Sequence, residues 1–243
     1  MKIDPDNSIG LSAQIASAIR DAIISGDLIV DERLPSEAEL AEQFDVSRPT
    51  IREALKRLAA QSLIRTQRGA FGGAFVRHLS YDEARPQLVT TSTLLLSMND
   101  VSFDTACEAR FALERACAPL SAERHDQTQI AAMRAEIAKQ GEEGLTDEEF
   151  CASDVAFHSA LVEGTQNPVL SYQLAGAVEA TQPLMNMITF SARSREKIIE
   201  LHTAIADATE AQDPGTIERN LDALSAYTIQ LGENVFATRK SKS

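Results

Sequence analysis

The sequence predicts a mainly α-helical protein in two parts. A small N-terminal unit of three helices and a β-hairpin precedes an all-α bundle of six or seven helices. Three observations carry that prediction. Apolar residues recur at helical spacing along most of the chain. A pair of strand-like runs around a glycine-rich turn interrupts them once, between residues 62 and 78. Charge also divides along the chain: of the formal net −13, residues 1–78 carry −1 and residues 79–243 carry −12.

At 243 residues, two domains are expected. The expected boundaries are 1–78 for the first domain, 79–98 for a linker or first helix of the second, 99–238 for the second, and 239–243 for a flexible tail. In the first domain, Leu11, Ile15, Ala18, Ile19, Ala22 and Ile23 form one apolar stripe over residues 11–25, and Gly26 ends that helix. "GDLIVDERLP" reads as a connecting turn with a short extended piece. Ser36 with Glu39 forms a capping box that starts a second helix over 36–44. After the turn "DV", Ser47 caps a third helix that tolerates Pro49 in its first turn and runs to about Gln61.

On that third helix Ile51, Ala54, Leu55 and Leu58 share one face, while Arg48, Arg52 and Lys56 lie four apart along a neighbouring edge. Strands in "SLIRTQ" and "AFVRH" follow, joined by "RGAFGG" with Gly69, Gly72 and Gly73. Residues 47–78 hold seven basic side chains against Glu53 alone. Three helices and a basic hairpin are the layout of a winged helix-turn-helix, and a basic field on an acidic body points to a polyanionic partner.

Beyond Ser80 the periodicity predicts helices near 80–98, 102–123, 126–140, 146–165, 168–190, 193–211 and 214–238. Caps mark several starts: Ser80 with Glu83, Thr146 with Glu149, and Asn167 before Pro168. Pro119 and Pro183 fall inside helical patterns and are expected to kink them.

Composition excludes several classes. No run reaches the ~18 apolar residues of a membrane span, and "MKIDPDNSIG" lacks a signal-peptide core, so a cytoplasmic location is expected. Cys107, Cys117 and Cys151 form no CxxC pair and read as small buried thiols. Net −12 over the second part is wrong for a protein that coats nucleic acid.

A second set of chemistry-bearing residues lies in the helical part. Asp154 and His158 share a helix face at spacing i, i+4, and His202 lies on a later helix that can pack against them. Such a set is either a satisfied polar cluster or a site for zinc, nickel or manganese. Arg110 lies one turn from Glu114 and is open to the same kind of ambiguity, as an internal ion pair or a ligand-facing cation. His78 and His125 fall at element ends and are given no role.

"LPSEAELAEQFDVSRPTIREALKRLAAQSLIRTQRGAFGGAFV" resembles the DNA-binding domain of the GntR family of bacterial transcription regulators. "EARFALERACAPLSAER", "SDVAFHSALVEGTQNPVL" and "LHTAIADATEAQDP" resemble the FCD ligand-binding domain of its FadR subfamily. The resemblance implies a homodimer that reads a palindromic operator in double-stranded DNA. Ser36, Ser47, Arg48, Thr50, Arg52, Lys56, Arg68 and Gly69 would touch the DNA, Arg48 and Arg52 at or near the bases. Ala38 departs from the family, many of whose members carry Arg there.

The resemblance also implies divalent metal at Asp154, His158 and His202. Its fourth ligand, a histidine on the last helix, is replaced by Leu224. Arg110 would pair with a small carboxylate effector, with Asn167, Arg195 and Arg193 as lesser contacts. The expected function is metabolite-responsive regulation, as a repressor. The alternative is a metal-dependent hydrolase using the Asp/His/His set, with Glu163 or Glu108 as base.

Overall fold

The computed structural model describes residues 9–69, 72–99, 101–185 and 192–240, with side chains excepted at 184, 192–194 and 234–240. Residues 70–71 of the hairpin turn, the side chain of Arg193 and residues 241–243 of the expected tail lie outside that description. The chain divides into two compact units, Met1–Ser80 and Tyr81–Ser243.

In the first unit, α1 (Leu11–Ser25), α2 (Glu37–Gln43) and α3 (Arg48–Ala60) precede the strands β1 (Ile64–Gln67) and β2 (Gly73–Val76). Ile15, Ile19, Leu34, Leu40, Phe44, Ile51, Leu58, Ile64 and Val76 form its core. Full burial of such side chains contributes roughly 1.5–3 kcal/mol each. The apolar stripes of α1 and α3 therefore pin α3 by its inner face and leave its polar edge outward.

Two tight stops fix the frame of α3. After α2 the chain turns through Asp45 at φ 52°, with Val46 N–H bonding Ala41 O at 3.0 Å and Asp45 N–H bonding Glu42 O at 3.2 Å. After α3 it turns through Ser62 at φ 58°, with Leu63 N–H bonding Leu58 O at 3.0 Å. Both are six-to-one closures that satisfy orphan carbonyls at a helix end, made here without the usual glycine. The strands pair antiparallel from Ile64↔Val76 to Gln67↔Gly73. The extended piece expected before α2 lies on this hairpin, through an Arg33↔Phe75 bridge and Leu34 N–H to Ala74 O at 2.8 Å. Gly72 is obligatory: a Cβ there would sit 2.4 Å from the Gln67 carbonyl oxygen.

Among its described residues the second unit has helices and connecting turns but no strand. It runs α4 (Tyr81–Met98), α5 (Phe103–Arg124), α6 (Gln127–Gln140), α7 (Asp147–Glu163), α8 (Pro168–Val178), a 3₁₀ turn (Glu179–Thr181), α9 (Gln182–Met185), α10 (Ala192–Glu210) and α11 (Pro214–Lys240). The helix expected over 168–190 is thus broken. Pro183 has no N–H to donate and its ring crowds the carbonyl four residues back, at Glu179, where the 3₁₀ turn begins. Pro119 does not interrupt α5. Phe111, Met133, Phe150, Phe157, Leu161, Ile205, Ile217, Leu221 and Leu224 belong to one buried cluster that gathers α5, α6, α7, α10 and α11. No described helix is long and apolar enough to cross a membrane.

Candidate nucleic-acid interface and candidate metal centre

Arg48, Arg52 and Lys56 all stand exposed along one edge of α3, as its periodicity predicts. Ser47 is the N-cap: its Oγ accepts from Thr50 N–H at 3.4 Å and shares a 2.8 Å hydrogen bond with Thr50 Oγ1. Ser36 caps α2 in the same way, accepting from Glu39 N–H at 3.3 Å while its own N–H donates to Glu39 Oε2 at 2.7 Å. Both serines therefore hold helix starts whose free N–H groups favour anions. Arg68 and Gly69 are exposed in the hairpin loop, Gly69 at φ 110°.

Arg52 is not a free cation. Its Nε donates to Glu37 Oε1 at 3.3 Å and its Nη2 to Glu37 Oε2 at 2.8 Å, and this bonding holds the Glu37 carboxyl below its ordinary range. Among the described residues Arg48 has no such partner. Lys56 is only loosely paired, 3.8 Å from Glu53.

In the helical unit, Asp154, His158 and His202 converge with one ligand atom each, all within 4.8 Å of one another. Asp154 Oδ1 lies 3.4 Å from His202 Nε2 and 3.8 Å from His158 Nε2. Ligand atoms at ~2.0–2.1 Å around a tetrahedral zinc stand about 3.3 Å apart, so the spacing needs little adjustment. Phe157 stacks on His202, ring centroids 4.0 Å apart.

The outer nitrogens are anchored. His158 Nδ1 meets Glu114 Oε2 at 2.5 Å and His202 Nδ1 meets Gln140 Oε1 at 2.9 Å. With Nδ1–H donating to each of these oxygens, Nε2 of both rings faces inward, the arrangement that outer partners impose on metal-binding histidines. Both Nε2 atoms are buried without a hydrogen-bond partner. Burial also pushes His202 down to about 3, so it is a neutral donor.

Arg110 is fully buried and bridges the acids: Nε donates to Glu114 Oε1 at 2.7 Å and Nη2 to Asp154 Oδ2 at 3.1 Å. Burial opposes charge on both carboxyls. On Glu114 His158 and Arg110, and on Asp154 Arg110 first, outweigh it and hold each below its usual range. The buried set holds two carboxyls, one guanidinium and two imidazoles. Two unpartnered Nε2 atoms beside a buried carboxyl are a donor set that fits a divalent cation.

The remaining expectations are placed differently. Arg110 is paired with the chain's own carboxylates, and its Nη1 lacks a hydrogen-bond partner. Asn167 caps α8, accepting from Val169 and Leu170 N–H, and lines a separate hollow of about 300 Å³ with Tyr81, Arg85 and Tyr172. Arg195 donates to Leu145 O at 2.6 Å, pairs with Asp147 and lies 5.1 Å over the Phe150 ring. Neither joins the Asp154 cluster. Leu224 is buried in the apolar core. Burial raises the thiols of Cys107 and Cys117, to about 12 and about 11, which leaves them inert. His125 is half-buried, its Nδ1 3.0 Å from Ser121 O, and His78 is exposed. Sequence reasoning missed Gln140 altogether and saw Glu114 only as a partner for Arg110.

A winged helix-turn-helix with an exposed basic edge, followed by a helical unit enclosing a ligand-ready polar centre, defines a DNA-binding regulator with a sensor domain. Residues 11–76 match the family described as "Bacterial regulatory proteins, gntR family", and residues 105–224 match the FCD domain. The chain is 31% identical over 220 residues to the "Putative L-lactate dehydrogenase operon regulatory protein" of Escherichia coli K12, spanning 84% of this chain and 79% of that one. It is 27% identical over 223 residues to the "Galactonate operon transcriptional repressor" of the same organism, spanning 90% and 96%. A solved structure, "Streptococcus agalactiae GntR", shares the fold at TM-score 0.51 and 22% identity, covering 91% of this chain and 99% of that one. The chain belongs to the GntR family of transcription regulators and carries an FCD effector-binding domain. These relatives are regulators and not enzymes, which removes the hydrolase alternative.

Proposed function

We propose that this regulator is a metabolite-responsive repressor. As a homodimer it holds a palindromic operator through Ser36, Ser47, Arg48, Thr50, Arg52, Lys56, Arg68 and Gly69, and a small carboxylate bound in the helical unit weakens that hold. The observation that carries the sensing half is the pair of inward, unpartnered Nε2 atoms beside Asp154. A zinc, nickel or manganese ion there would supply positive charge and open positions for carboxylate oxygens. Asp154, His158 and His202 would hold it, Glu114 and Gln140 would orient the imidazoles, and Arg110 would offer Nη1 to the effector. Two relatives are named for an L-lactate dehydrogenase operon and a galactonate operon, which supports a small hydroxycarboxylate as the class to screen.

Thermal-shift measurements on metal-free full-length protein test the sensing half. Each ion alone should raise the melting temperature, since a ligand at about 100 times its Kd adds roughly 2.7 kcal/mol to the folded state. The shift should vanish in His202→Ala. No shift with any of the three ions sinks the metal reading. For the DNA half, duplexes selected from a random library with wild-type protein serve as operator. Arg52→Ala should relax preference at one base pair in each half-site, whereas Lys56→Ala should weaken all duplexes alike and flatten the salt dependence. A uniform loss in Arg52→Ala would mean that this arginine holds backbone phosphate.

A further inference from the structure

We infer that Glu37, the first residue of α2, is a positioning residue that aims Arg52 at a base. The inference rests on the proposed base-reading role of Arg52. A guanidinium presents five N–H groups in a rigid plane. Glu37 occupies one edge of that plane, with Nε and Nη2 held at 3.3 and 2.8 Å. What remains free is the far edge, where one N–H of Nη1 and one of Nη2 run parallel. That edge matches the O6 and N7 acceptors of guanine. The pairing also joins α2 to α3, so the arginine is steadied from a second helix and not only by its own stem.

Two features argue against a purely structural role. The side chains are 59% and 38% exposed, and ion pairs so exposed contribute little to folding. A carboxylate on the DNA-facing edge also repels phosphate, so an interface built only for affinity would lose by keeping it. Its gain is discrimination: with one edge tied, Arg52 is hindered from swinging to the nearest phosphate of a wrong sequence. A first-turn acid does favour its helix through the dipole, and that simpler effect must be separated from aiming.

Glu37→Gln in the full-length protein makes the separation. On the duplexes selected with wild type, its affinity should fall, while its affinity for non-operator duplex should stay level or rise. Discrimination at the base pair read by Arg52 should drop about tenfold, a share of what one bidentate contact provides. In an Arg52→Ala background the same substitution should have no further effect on discrimination. A Glu37→Gln protein that discriminates like wild type, while Arg52→Ala relaxes one position, overturns the inference and leaves base reading intact. A uniform loss in Arg52→Ala overturns both. Additive effects in the double variant overturn the aiming role as well.

Discussion

Arg110→Met is expected to destabilise the metal-free protein by about 3–5 kcal/mol, the usual consequence of removing one partner from a buried ion set. Glu114 and Asp154 would keep their carboxyls in the core with no cation between them. Since whole domains are stable by only ~5–15 kcal/mol, the helical unit of this variant would be close to unfolding. Urea denaturation followed by circular dichroism measures the effect. Adding Glu114→Gln should recover part of the loss by removing one stranded charge, and zinc should recover more. An Arg110→Met protein as stable as wild type would show that the acids are compensated by another route.

Gln140→Leu should have the second large effect, on metal affinity. It deletes the acceptor that holds His202 Nδ1 at 2.9 Å, so the imidazole loses both its orientation and its preferred tautomer. Outer partners of this kind are worth roughly 10–100-fold in metal affinity. Competition against a chromogenic chelator gives the constant directly. The substitution exchanges a neutral amide for an apolar chain of similar bulk, which separates it from the charge effects of Arg110→Met. Unchanged affinity would show that Phe157, stacked on the ring, positions His202 unaided.

The first unit was legible almost residue by residue because its signals are local. Capping boxes, apolar stripes and glycines each act within a few residues, and the chain from Leu11 to Val76 follows them. In the second unit Thr146 and Asn167 likewise announced α7 and α8. What the sequence hid was the partnership between distant helices. Nothing within reach of Gln140 in the chain says that it meets His202, 62 residues away. Spacing did bring Arg110 next to Glu114, but not that Asp154 would share the same guanidinium. The ligand set is legible through the family resemblance, while the orientation of each imidazole depends on Glu114 and Gln140, which reach it from other helices.

The two left-handed turns at Asp45 and Ser62 have a consequence for how such a regulator changes over time. They close the turns flanking α3, and Ile51, Ala54, Leu55 and Leu58 fasten it from beneath. None of those anchors lies on the outward edge. Residues there are exchangeable letters in a fixed frame, free to drift toward a new operator while folding stays untouched.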